Sequence, residues 1–84
     1  MNYNKYNELE KKMDKLYSDF IDEVAKIENE NDFNKVSKWV DDNFNLIFNW
    51  AKNNGAENQI LNELKSEYFQ LKDYLLISFL YNMD

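Results

Sequence analysis

Apolar residues recur every three or four positions along most of this chain, the spacing of helices that each bury one face. Tyr6, Leu9, Met13, Leu16, Phe20, Val24 and Ile27 predict a first helix over about residues 4–28. The segment Glu28-Asn29-Glu30-Asn31-Asp32 breaks the period, and Asp32 or Asn31 is suited to cap the next helix by accepting its free backbone N–H groups. Phe33, Val36, Val40, Phe44, Ile47 and Ala51 then predict a second helix over about 33–53, with Trp39, Leu46 and Trp50 as a flanking stripe. So wide an apolar arc marks a helix that touches two neighbours. Gly55, the one glycine, is placed to close that helix in the left-handed conformation. Ile60, Leu64, Tyr68, Leu71 and Leu75 predict a third helix over about 56–82, with Glu57 favourably charged in its first turn. Both connections are short, so consecutive helices should run antiparallel. The expected fold is all-α, an up-down-up antiparallel three-helix bundle forming one domain over 1–84. A short apolar strand at Leu75–Leu80 is the structural alternative, and it would have no strand to pair with.

Helix 3 carries more apolar surface than one buried face requires. Phe69, Leu76 and Leu80 lie five residues beyond Leu64, Leu71 and Leu75, a net rotation of about 140° around a helix. Either helix 3 is central and packed on both sides, or this stripe is exposed and serves a homodimer or another partner.

Length sharpens the question of what holds the fold. A chain of 84 residues buries only roughly 60–65% of its unfolded surface. It has no cysteine for disulfides and no His/Cys set for a structural metal, so packing must stabilise it, with 17% aromatic residues as the bulk. The apolar runs are far shorter than the ~20 residues of a membrane span, Tyr74–Ile77 being cut by Ser78. The first residues also lack the continuous apolar stretch of a signal peptide. The expected location is cytoplasmic (the bacterial host cytoplasm, if the chain is phage-encoded), with no membrane partner.

Charge narrows the partners. The formal net charge is −6 and every side-chain positive charge is a lysine, which argues against nucleic acid, whose phosphates call for basic surface and favour arginine. The abundance of asparagine and the lack of arginine are what the codon bias of an AT-rich genome would produce, a bias shared by many phages, mobile elements and low-GC bacteria. Between Asp19 and Asp32 six acids (Asp19, Asp22, Glu23, Glu28, Glu30, Asp32) face one base, Lys26, a local net of −5. In an up-down-up bundle that acidic corner lies beside the C-terminal end of helix 3. An apolar patch with an acidic rim suits a basic protein surface.

The inventory leaves little for catalysis. Without His or Cys the commonest general base, the thiol nucleophile and the usual zinc ligands are missing, and one glycine cannot build a phosphate loop. Adjacent acids such as Asp41-Asp42 diverge by about 100° on a helix and do not converge on a substrate. Two segments imitate calcium loops and fail: from Glu28 the turn glycine and twelfth ligand are replaced by Phe33 and Trp39, and from Asp41 by Leu46 and Lys52. No catalytic residue, metal or cofactor is expected. Ala51-x-x-x-Gly55 followed by Leu61 and Leu64 has the skeleton of a helix-turn-helix, but its second helix offers Glu57, Asn58, Gln59, Asn62 and Glu63 to DNA.

The expected function is therefore that of a small acidic, non-enzymatic inhibitor or regulator that binds a protein by occupying a basic surface. A phage or mobile-element antagonist of a bacterial nuclease or defence complex, of the anti-CRISPR kind, fits this description. The alternatives are a structural, assembly, antitoxin or immunity-type subunit, and thirdly a helix-turn-helix DNA-binding regulator.

Overall fold

The computed structural model describes residues 1–82 and contains three helices: α1 (Tyr3–Ala25), α2 (Glu30–Asn53) and α3 (Asn58–Asn82). The chain runs up, down and up. The Met1 amino group lies 3.3 Å from the Gly55 carbonyl at one end, and the Phe33 and Phe79 rings stack 4.5 Å apart near the other. Leu75–Leu80 is helical. Among the described residues no helix is long and apolar enough to cross a membrane.

Each helix starts and stops for a local reason. Asn2 caps α1, its side-chain oxygen accepting the Lys5 N–H at 2.9 Å. With no glycine to close it, α1 ends in a tightened turn: Lys26 and Ile27 donate to the Glu23 and Val24 carbonyls, each at 3.2 Å. The cap of α2 is Asn29 rather than Asp32 or Asn31, so α2 begins three residues earlier than the periodicity suggests. Asn29 Oδ1 accepts the Asp32 N–H at 2.8 Å while the Asp32 carboxylate accepts the Glu28 N–H at 3.0 Å, a reciprocal arrangement close to a capping box. Apolar spacing cannot report this, because the residues that start the helix are all polar.

The α2–α3 turn is a Schellman closure. Ala56 N–H donates to the Ala51 carbonyl at 3.0 Å and Gly55 N–H to the Lys52 carbonyl at 3.2 Å, with Gly55 at φ +82°. Gly55→Ala should lower stability by about 1 kcal/mol through backbone strain alone, since no atom lies within 4 Å of the position its Cβ would take. Urea unfolding tests this; an unchanged midpoint would show that the turn relaxes freely.

The core joins Leu9, Met13, Leu16 and Phe20 of α1, Val36, Val40, Phe44 and Ala51 of α2, and Leu64, Leu71 and Leu75 of α3. These are the spaced apolar positions of each helix, turned inward. The middle helix is α2, as its wide apolar arc foretells; α1 and α3 each pack along it and approach one another far less closely. That corrects the reading in which helix 3 is central and covered on both sides. The result is a rod of 47 × 19 × 15 Å.

Candidate functional site

The C-terminal half of α3 is apolar nearly all the way round. Leu71 and Leu75 fill the inward face, yet Phe69, Leu76 and Leu80 are 63%, 47% and 57% exposed. The predicted stripe is thus at the surface. A second exposed stripe, Tyr74, Ile77 and Tyr81, lies on the side of α3 nearer α1, where Tyr74 meets the Phe20 ring edge-on at 5.8 Å. Exposed Ile21 of α1 extends it, and a hollow of about 390 Å³ lined by Tyr17, Phe20, Ile21 and Tyr74 runs between the two helices. The spacing of Tyr74, Ile77 and Tyr81 was readable in the sequence; only the packing tells which flank of α3 meets α1.

The six acids do not converge. Asp19 pairs with Lys15 at 3.0 Å and Glu23 with Lys26 at 3.3 Å, and Asp22, Glu28 and Glu30 are exposed. Asp32 is spent on the start of α2. Asp22 and Glu23 sit in the last turn of α1, against the helix dipole, whereas Glu30 and Asp32 sit in the first turn of α2, where the dipole favours them. What the fold does bring together is the acidic connection and the apolar end of α3, joined through the Phe33–Phe79 stack. Among the described residues no group of three or more His, Cys, Asp or Glu side chains is arranged to hold a metal ion.

A polar cluster unforeseen in the sequence ties α2 to α3. Asp41 Oδ1 accepts from the Tyr68 hydroxyl at 2.5 Å and from Lys72 Nζ at 2.9 Å. Lys72 Nζ also donates to Ser37 Oγ at 2.5 Å and to the Ser37 carbonyl at 3.3 Å. Burial pushes the Asp41 carboxyl upward, but the Tyr68 and Lys72 hydrogen bonds and the nearby lysine charges outweigh it and leave a net lowering. The hydrogen bond to Asp41, helped by burial, holds the Tyr68 hydroxyl up at about 12. Ser37 beside Lys72 has the makings of a serine–lysine nucleophile pair. The ammonium, however, directs its donors at Asp41 and Ser37 and offers no lone pair to take the serine proton. The cluster acts as a clamp between helices.

A second clamp closes the opposite end. Glu57 accepts from the Tyr6 hydroxyl at 2.5 Å and from the Met1 amino group at 3.0 Å, and these two bonds, in that order, draw its carboxyl down to about 2. Tyr17 is raised to about 12, first by burial and then by the Glu67 carboxylate. Comparison of the chain with protein-family models, with curated proteins and with solved structures found no match.

Proposed function

We propose that this chain is a non-enzymatic protein-binding inhibitor or regulator, with the C-terminal half of α3 as its docking face. The observation that carries the reading is the exposure of five large apolar side chains between Tyr74 and Tyr81, on a helix whose inward positions are already filled. Isolated exposed apolar residues are ordinary, but a contiguous set on one element marks an interaction surface. The acids around the α1–α2 connection supply the rim. Among them Asp22, Glu28 and Glu30 make no ion pair among the described residues and are available to a basic partner, such as the nucleic-acid groove of a bacterial nuclease or defence complex. Charge of this kind accelerates encounter and selects the partner, while apolar contacts hold the complex.

A second copy of the chain is the other reading of the same face, a two-fold dimer with α3 against α3. One variant addresses both. Leu76→Glu with Leu80→Lys should leave the helical circular dichroism intact, because both positions are exposed. If the face serves self-association, light scattering should show a wild-type dimer and a variant monomer. If it serves a basic partner, a protein recovered by the wild type from nuclease-treated host lysate should be lost with this variant. It should also be weakened by Glu28→Lys with Glu30→Lys, in which the capping Asp32 is kept. A monomeric wild type whose captured partner ignores both variants would refute the assignment.

A further inference from the structure

The groove between α1 and α2 has the opposite chemistry to the α3 face, and we infer that it is a second docking surface, for an acidic amphipathic segment of a partner protein. The groove encloses about 260 Å³ and is lined by Trp39, Leu46 and Trp50 of α2 and by Lys12 and Lys15 of α1, among others. Both indoles are half-buried, while Leu46 between them in sequence is 70% exposed. Trp39, Leu46 and Trp50 lie on one helical face about 16 Å long, the length of roughly three helical turns. Spaced apolar positions of this kind are how a groove takes the anchor residues of a bound amphipathic helix. Half-buried tryptophan is also the side chain most enriched where binding energy concentrates.

The polar groups of the groove say which segment. Lys12 Nζ stands 5.0 Å and Lys5 Nζ 5.7 Å from the centre of the Trp50 ring. Lys15 is neutralised by Asp19 at 3.0 Å, and Lys5 keeps only a long 3.7 Å contact with Glu8. Among the described residues Lys12 makes no ion pair. The indole N–H groups of Trp39 and Trp50 donate to no protein acceptor there. No side-chain polar atom in the described structure is both buried and unbonded, so both N–H groups reach the surface. The groups near Trp50 that are open to a partner are thus its indole N–H, a donor, and the Lys12 cation, in a protein whose net charge is −6. A segment with one or two apolar anchors and carboxylates at the Trp50 end would complete them. A basic segment would meet only Glu8 at that end, already facing Lys5 at 3.7 Å, and would crowd Lys5 and Lys12.

Trp39 and Trp50 are the only tryptophans in the chain, so emission excited selectively at tryptophan, and not at the six tyrosines, reports on this groove. The probe is a helical 18-residue peptide of Leu, Ala and Glu, free of Trp and Tyr, with Leu at helical spacing; its twin carries Lys in place of every Glu. Titration into the full chain should give a saturable change in tryptophan emission with the Glu peptide and none with the Lys peptide. Lys12→Glu should weaken binding at least tenfold. Leu46→Glu should abolish it with circular dichroism unchanged, since Leu46 contributes little to the core. Leu76→Glu with Leu80→Lys should leave it intact, which separates this site from the α3 face. Equal binding of both peptides, no saturable change, or binding indifferent to Lys12→Glu and Leu46→Glu would each overturn the inference. So would a dependence of emission on protein concentration alone that Leu46→Glu removes, because the occupant would then be a second copy.

Discussion

Replacing Leu75 by Ala should lower the unfolding free energy by about 3 kcal/mol, whereas Leu76→Ala, one residue along, should change it by less than about 0.5 kcal/mol. The two side chains are chemically identical and separated by about 100° of helix. Leu75 is 1% exposed within the core that joins the three helices, and Leu76 is 47% exposed. Truncation at Leu75 forfeits the burial of three carbon atoms and leaves a void that the surrounding side chains fill only in part. A chain of this length has a total stability of roughly 4–12 kcal/mol, so the loss is a large share of it. Urea unfolding followed by circular dichroism measures both variants. Equal effects would mean that α3 is rotated from the position described, and the exposed stripe would then have to be reassigned to the core.

The second large effect is electrostatic. Asp41→Ala should cost about 1.5 kcal/mol at neutral pH, because it strips a partner from both the Lys72 ammonium and the Tyr68 hydroxyl. A fully buried pair would lose more; here the Asp41 side chain is 41% exposed, and solvent screens what remains. The sign of the pH dependence follows from the direction of the shifts. Asp41 lies below its ordinary 3.8 in the folded state and Glu57 falls from 4.5 to about 2. Each therefore contributes stability that is complete above its unfolded value and is lost as the pH falls through the folded one. Between pH 4.5 and 2 the wild type should weaken steadily, and the penalty of Asp41→Ala should shrink over the same interval. The alkaline limb runs the other way. Tyr68 and Tyr17 rise from 10.0 to about 12, so their contributions are whole below pH 10 and disappear between 10 and 12. Unfolding titrations at pH 7, 3 and 11 measure all of this; an Asp41→Ala penalty identical at pH 7 and 3 would place the origin of its effect elsewhere.

Much of the architecture was legible in the chain because the inward faces are spelled in apolar residues at helical spacing. Leu9, Met13, Leu16 and Phe20 are buried as their period requires, and so are Val36, Val40 and Phe44. The exposed stripe of Phe69, Leu76 and Leu80 was readable for the same reason: it repeats at helical spacing on a second face. The start of α2 was not, since Asn29 and Asp32 define it through hydrogen bonds that leave no apolar trace. Nor was the Asp41–Lys72 pair, whose members lie 31 residues apart and meet only once the register of α2 against α3 is set. The acidic corner was visible as a count of charges, but its division of labour was not. Asp32 belongs to folding, Asp19 and Glu23 to local pairs, and only the remainder face solvent unpaired. Trp39, Leu46 and Trp50 form a stripe whose spacing predicts contact with a neighbouring helix. In the fold α1 covers that stripe only in part, and the partial cover is what makes a groove.

Because α1 and α3 approach one another less closely than either approaches α2, the bundle has an internal hierarchy. Local opening of a protein proceeds by whichever unit gives up the fewest contacts. Either outer helix can lift away while the remaining hairpin keeps its own shared face, but α2 cannot leave without dissolving both hairpins at once. The clamps at Glu57 and Asp41 act on different joints of this arrangement: the first ties the beginning of α1 to the beginning of α3, the second ties α3 to α2. A ligand seated against α3 would therefore act on a separable leaf of the molecule, and one seated across α1 and α2 would staple the other leaf to the spine.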